Sequence, residues 1–151
     1  MRSVLAVFCL AMVLAGPANA AAPVQDTLIV PGERVGPVAL GMNPAELAQA
    51  VGSPGEVQHQ GTATIYSWGQ LVAEIADKSP GVDLITVNDS RYETANHIRV
   101  GLAGLAVTAV LGLPAGTTTQ QGLVALDYDG LTVIMRNNLV AQIRVRKSTA
   151  P

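Results

Sequence analysis

The sequence predicts an α+β fold of two tandem units, each a short helical segment packed on an antiparallel sheet of about three strands. Three observations carry this. VALGMNPAELAQAVGSP at 38–54 is answered sixty residues on by IRVGLAGLAVTAVLGLP at 98–114, and self-similarity at a fixed offset marks a duplicated unit. TATIYSWGQLVAEIA at 62–76 and LVALDYDGLTVIMRN at 123–137 are both rich in β-branched and aromatic residues, with a Gly near the middle. Each copy then closes on one signature, VDLITV at 82–87 and VAQIRV at 140–145.

Ahead of the repeat, residues 1–20 read MRSVLAVFCLAMVLAGPANA: an early Arg2, an apolar run, a Gly-Pro break and Ala18-Asn19-Ala20. That is the order of a secretory signal peptide, and its apolar run is too short to span a bilayer. The sole cysteine, Cys9, lies in this leader. The expected mature domain is therefore cysteine-free and relies on a packed core rather than on disulfides. The first unit with its lead-in occupies 21–90, and the second unit with the C-terminal tail occupies 91–151.

The chain carries 9 basic and 11 acidic side chains, and one of the basic ones, Arg2, belongs to the leader. Such a balance excludes a nucleic-acid binder and an anionic-membrane binder of the usual electrostatic kind. Outside the leader the aromatics are Tyr66, Trp68, Tyr92 and Tyr128, too few for a stacking platform.

In the first copy Asn43 suits a helix N-cap, Pro44 the first helical position and Glu46 the third residue of a capping box. Gly52 supplies the stop, in a left-handed cap, and Pro54 prevents resumption. The helix is expected at about 44–51, with Leu47 and Val51 facing the core. The second copy keeps the stop at Gly112 and Pro114 but has Ala103 and Gly104 where the cap and proline stood. Only Thr108 is polar in 102–111, so this helix is expected to be buried on more than one face, between the repeats. Gly41 and Gly101 complete the matched structural set of Gly41, Gly52, Pro54, Gly101, Gly112 and Pro114.

The last two strands meet at Asn137-Asn138, a tight-turn signal. A two-residue loop there places Arg136 opposite Leu139, whereas an all-apolar face asks Met135 to share a side with Ile143. A bulge or a longer loop would reconcile the two.

The lead-in GERVGPVALGM at 32–42, the helix closed by VGSP or LGLP, and the strands ending in VxxIxV together resemble the unit of the β-lactamase inhibitory protein-like fold. They are also similar to the SmpA/OmlA-like lipoproteins of outer-membrane assembly. The resemblance covers about 30–147 and implies an envelope protein that binds another protein across an open sheet face. It carries over no individual binding residue, because the cysteines, aromatic-rich face and lipid-anchor cysteine of those families have no counterpart here.

Chemistry-bearing residues are sparse. His59 in QHQG is expected in a polar loop, and His97 in ETANHIRV just before a strand. Neither sits in a nucleophile-elbow or zinc-ligand spacing, so no catalytic residue and no metal ligand is assigned. Asp127-Tyr128-Asp129-Gly130 reads as a hairpin turn rather than a calcium loop.

Tyr66 and Trp68 share one strand face, and Tyr128 takes the corresponding strand of the other copy. With Arg144 and Arg146 they make the candidate binding face. If the aromatics point to the core they only fill space, and the two arginines equally suit a solvated face. The expected function is a secreted or periplasmic, non-enzymatic module presenting a sheet surface to an envelope protein partner, without cofactor. The alternative is a small-molecule or metal-responsive protein using a cleft between the repeats, with His97 or Asp127 and Asp129 as polar contacts. Oligomeric state is left open by the sequence.

Overall fold

The structure, a computed structural model, describes residues 26–149; the signal peptide read at 1–20, including Cys9, lies outside the described residues. In chain order the elements are β1 (Leu28–Val30), β2 (Arg34–Val35), β3 (Val38–Ala39), α1 (Pro44–Val51), β4 (Glu56–Gln60), β5 (Ala63–Trp68), β6 (Leu71–Ala76) and β7 (Leu84–Val87). There follow β8 (Glu93–Thr94), α2 (Gly104–Leu111), β9 (Gly116–Gln120), β10 (Leu123–Tyr128), β11 (Leu131–Arg136) and β12 (Leu139–Arg146).

The α+β expectation of two units, each a helix on about three strands, is corrected. Of the described residues 46% are in strands and 13% in helices, and the copies give four strands each to one sheet of 8, ordered β4-β5-β6-β7-β12-β11-β10-β9. Every pairing in it is antiparallel. The seam between copies is β7 against β12, with Val87 opposite Ile143 and Ile85 opposite Val145. The missed strands are β4 and β9, EVQHQ and GTTTQ. They lie at the sheet edges, where nearly every side chain is solvated, so neither carries the apolar alternation that marks a half-buried strand. A second sheet of 4 short strands, β3-β2-β1-β8, contains one parallel pairing, β1 with β8.

One face of the large sheet holds the core. Leu71, Ala73, Ile85, Val87, Val133, Ile143 and Val145 point there, against Ile29, Val35, Val38 and Ile98 of the small sheet and its flanks and against Leu47 and Val107 of the helices. The two VxxIxV signatures contribute Val82, Ile85, Val87, Val140, Ile143 and Val145, all buried.

The lead-ins are tied to these signatures in the same way twice. Gly41 donates its N–H to the Val82 carbonyl (2.8 Å) and Val82 returns one to Met42 (2.9 Å). In the second copy Gly101 donates to Val140 (2.7 Å) and Val140 to Leu102 (2.8 Å).

α1 is capped as the sequence spells it: the Asn43 side chain accepts from Ala45 and Glu46, and Glu46 reaches back to the Asn43 N–H. α2 has no side-chain cap. Its first N–H, from Gly104, instead bonds the Asn138 carbonyl of the β11–β12 hairpin at 2.9 Å, so a tertiary contact replaces the absent capping residue. The expected left-handed cap conformation is also corrected: Gly52 (φ 88°, ψ −176°) and Gly112 (φ 79°, ψ −162°) pair a positive φ with an extended ψ, a region open essentially to glycine alone.

α2 departs from expectation in its surroundings too. It buries Gly104 and Val107, but Leu105 is 78% exposed, Val110 48% and Leu113, just past its end, 92%. It is not enclosed between the repeats, because the seam brings strands rather than helices together.

The register conflict at Asn137-Asn138 is resolved by a bulge, and the loop keeps two residues. Both asparagines have positive φ, 52° and 63°, as a type I′ turn requires, and Arg136 faces Leu139. A bulge then shifts the register between Ile134 and Met135. Val140 and Ile143 thereby share the core face although only two residues, Ala141 and Gln142, lie between them.

Gly81, just before Val82, packs so closely that a Cβ there would run into the Gly41 carbonyl, whereas one on Gly55 would make only ordinary contact, 3.7 Å from the Ser67 carbonyl. Gly81→Ala is expected to lower unfolding stability by about 1–3 kcal/mol through overpacking, with Gly55→Ala changing it by less than about 0.5 kcal/mol. Urea denaturation of both variants measures the difference, and equal stabilities would contradict the lead-in pairing.

Candidate functional site

The cross-strand register sorts the five candidate residues onto two faces. Tyr66 lies opposite Ala73, Trp68 opposite Leu71 and Tyr128 opposite Leu131, so all three aromatics point to the core side and pack partly buried against it. Tyr66 and Trp68 stack with centroids 6.5 Å apart. Arg144 lies opposite Thr86 and Thr132 and points, like Arg146, to the other face. The structure therefore does not bring the aromatics and the arginines together.

Trp68 and Tyr128 have a shared structural task. Trp68 Nε1 donates to the Gly52 carbonyl at 3.0 Å, and the Tyr128 hydroxyl donates to the Gly112 carbonyl at 3.2 Å. Each strand aromatic thus satisfies a carbonyl at the C-terminal end of its own helix. Burial pushes the Tyr128 phenol up, which keeps it a neutral hydrogen-bond donor over the physiological range. The sixty-residue match of Trp68 with Tyr128 is visible in the sequence, but its partner carbonyl is not.

The face that carries Arg144 and Arg146 is turned away from the helices and the small sheet, although Thr132 and Ile134 at its centre are buried. Thr86, Arg144, Thr132 and Asp127 form one line across β7, β12, β11 and β10; Gln142, Ile134, Ala125 and Thr118 form the next. Two adjoining concavities, of about 380 and 180 Å³, open here, and Ala125, Ile134 and Arg144 line both. Leu84, Val72 and Ile65, partly exposed, continue this face into the first copy, with Glu74 between Leu84 and Ile65.

The polar groups on this face are unequally engaged. Asp127 accepts from Thr132 Oγ1 (2.7 Å) and from Arg146 (3.2 Å), so the Arg146 charge is matched. Arg144 donates through Nε to Gln142 (2.9 Å), and Gln142 donates to Asn88 (2.9 Å) in the first copy. Among the described residues no carboxylate lies within ion-pair reach of Arg144, whose side chain is exposed. A guanidinium held at one nitrogen, with the rest of its fork free, is suited to receive a carboxylate.

The other chemistry-bearing residues do not converge on this face. His59 lies on β4 rather than in a loop, its ring 3.3 Å from the Thr64 hydroxyl. His97 sits in the turn after β8 with φ 62° and bonds Glu93 at 3.1 Å. Asp129 accepts from Ser148 (2.6 Å) and from the Thr149 N–H (3.2 Å). Among the described residues no group of three or more His, Cys, Asp or Glu could hold a metal ion, and no helix is long and apolar enough to cross a membrane. Main-chain pairing along β7 and β12 joins the copies where the alternative reading placed a cleft.

These features define a class: a β protein made of one duplicated unit, with one covered and one open sheet face. No protein-family model and no curated protein matches the sequence. Two solved structures have a similar fold. YjgB of Bacillus subtilis, a DUF4309 family protein, superposes with a TM-score of 0.50 at 12% identity, over 70% of this chain and 78% of that one. An extracellular protein of Bacillus anthracis containing an SCP domain gives 0.52 at 8% identity, over 89% of this chain and 50% of that one. The chain thus spans about half the length of the second protein, and at these identities the likeness concerns fold alone.

Tyr128→Phe is expected to lose about 1 kcal/mol of unfolding stability with its bond to the helix end. Arg144→Gln, on the open face, should change it by less than about 0.5 kcal/mol. Thermal and urea melts of the two variants would contradict this assignment of roles if the order were reversed.

Proposed function

We propose that the chain is a secreted or periplasmic, non-enzymatic binding module whose open sheet face receives a protein partner with an acidic, partly apolar surface. The observation that carries the reading is the exposed Arg144 guanidinium without an ion-pair partner among the described residues, set in a concave, partly apolar face turned away from the helices and the small sheet. A partly exposed apolar patch beside a bidentate donor is the composition of a protein-binding surface. The leader at 1–20 supports export, and the extracellular character of the Bacillus anthracis neighbour agrees with it. Likeness of the repeat to the β-lactamase inhibitory protein-like and SmpA/OmlA-like units belongs to the same proposal.

The test is crosslinking of the exported chain in envelope extracts, with Arg144→Glu on the open face and Gln49→Glu on α1 as the control. Arg144→Glu is expected to weaken capture of a specific partner by about tenfold or more, with melting unchanged, while Gln49→Glu retains it. Equal capture by both variants would contradict the site.

A further inference from the structure

No charged residue occurs between Arg99 and Asp127, and the fold gathers this stretch at one border of the molecule: α2, the connection from Gly112 to Ala115, and β9 at the sheet edge. The first copy is an internal control for what the fold requires. At matched positions α1 exposes Ala45, Glu46, Gln49, Ala50 and Ser53, whereas the second copy has Leu105, Ala106, Ala109, Val110 and Leu113. Each helix turns one large side chain fully inward, Leu47 or Val107, and α2 also buries Gly104. The outer apolar residues of α2 are therefore not demanded by the unit's own packing.

The edges differ in the same sense. β4, EVQHQ, carries Glu56 and His59; β9, GTTTQ, carries no charge, no proline and no bulge in its pairing with β10. Charge, proline and bulges are the usual means of blocking an edge whose outward N–H and C=O groups are unpaired. Such an edge can accept an extended strand through main-chain hydrogen bonds.

We propose that this border is a homodimer interface, in which β9 pairs antiparallel with β9 of a second copy about a two-fold axis near Thr118. The occupant follows from symmetry and charge. Antiparallel pairing of a strand with itself is what a two-fold axis generates. Thr118 faces its own copy, Thr117 faces Thr119 and Gly116 faces Gln120, with no like charges opposed, and the same rotation brings both α2 helices to one side of the joined sheet. The opposite border, with Glu46 and Glu56, places like charges near the corresponding axis. The open face with Arg144 stays free in such a dimer, so this inference does not rest on the proposed partner site.

The experiment is sedimentation equilibrium of the full chain, exported with its own N-terminus, over a range of concentrations. Thr118→Lys is compared with Gln58→Lys, the same change at the matched position of the other edge. The unaltered chain and Gln58→Lys are expected to show a doubled mass, and Thr118→Lys the single-chain mass with an unchanged melt. Leu105→Asp on α2 repeats the test should the lysine variant fold poorly. A monomer at every concentration, a dimer that survives the change at 118 or 105, or a dimer lost in Gln58→Lys would overturn the proposal.

Discussion

The pairing of β7 with β12 is the constraint on which the rest of the molecule depends. Ile85, Val87, Ile143 and Val145 meet across it and are fully buried. Burial of each such side chain is worth about 1.5–3 kcal/mol, so the seam is a substantial source of stability in the sheet. The first valine of each signature has a further duty. Val82 and Val140 exchange main-chain bonds with the Gly-Met and Gly-Leu lead-ins, and those lead-ins set where α1 and α2 begin. One six-residue signature thus joins the copies, anchors the helices and supplies core.

The seam also creates the candidate site. Strand alternation that turns Ile143 and Val145 inward turns Arg144 and Arg146 outward, and pairing with β7 moves them from what would be an edge strand to the middle of a broad face. The Arg144–Gln142–Asn88 chain of hydrogen bonds crosses the seam, so the orientation of Arg144 is set by residues of both copies. The two faces differ in what their side chains do: the aromatics serve helix ends and core on one side, and the exposed Arg144 guanidinium stands on the other.

Much of this was legible from residues whose signal is local. Asn43, Pro44 and Glu46 spell a helix start in consecutive chain, and the structure has it. The conflict around Asn137-Asn138 was visible as a conflict, and the bulge at Ile134/Met135 is its resolution. What was not legible depends on surroundings. β4 and β9 are strands because β5 and β10 offer them a partner, not because their own side chains alternate. α2 looked buried since apolar residues occur all round it, yet only its inward residues meet the sheet. Tyr66, Trp68 and Tyr128 could be placed on a common side, but which side the helices cover is settled by the main-chain ties at Val82 and Val140.

Native-state hydrogen exchange under increasing denaturant tests the central claim, that two copies form one cooperative sheet through this seam. Amides of β7 and β12 are expected to exchange only through global unfolding, with β5–β6 and β10–β11 approaching the same opening free energy. Exchange of one copy's strands through a separate opening, while the other copy stays protected, would contradict it.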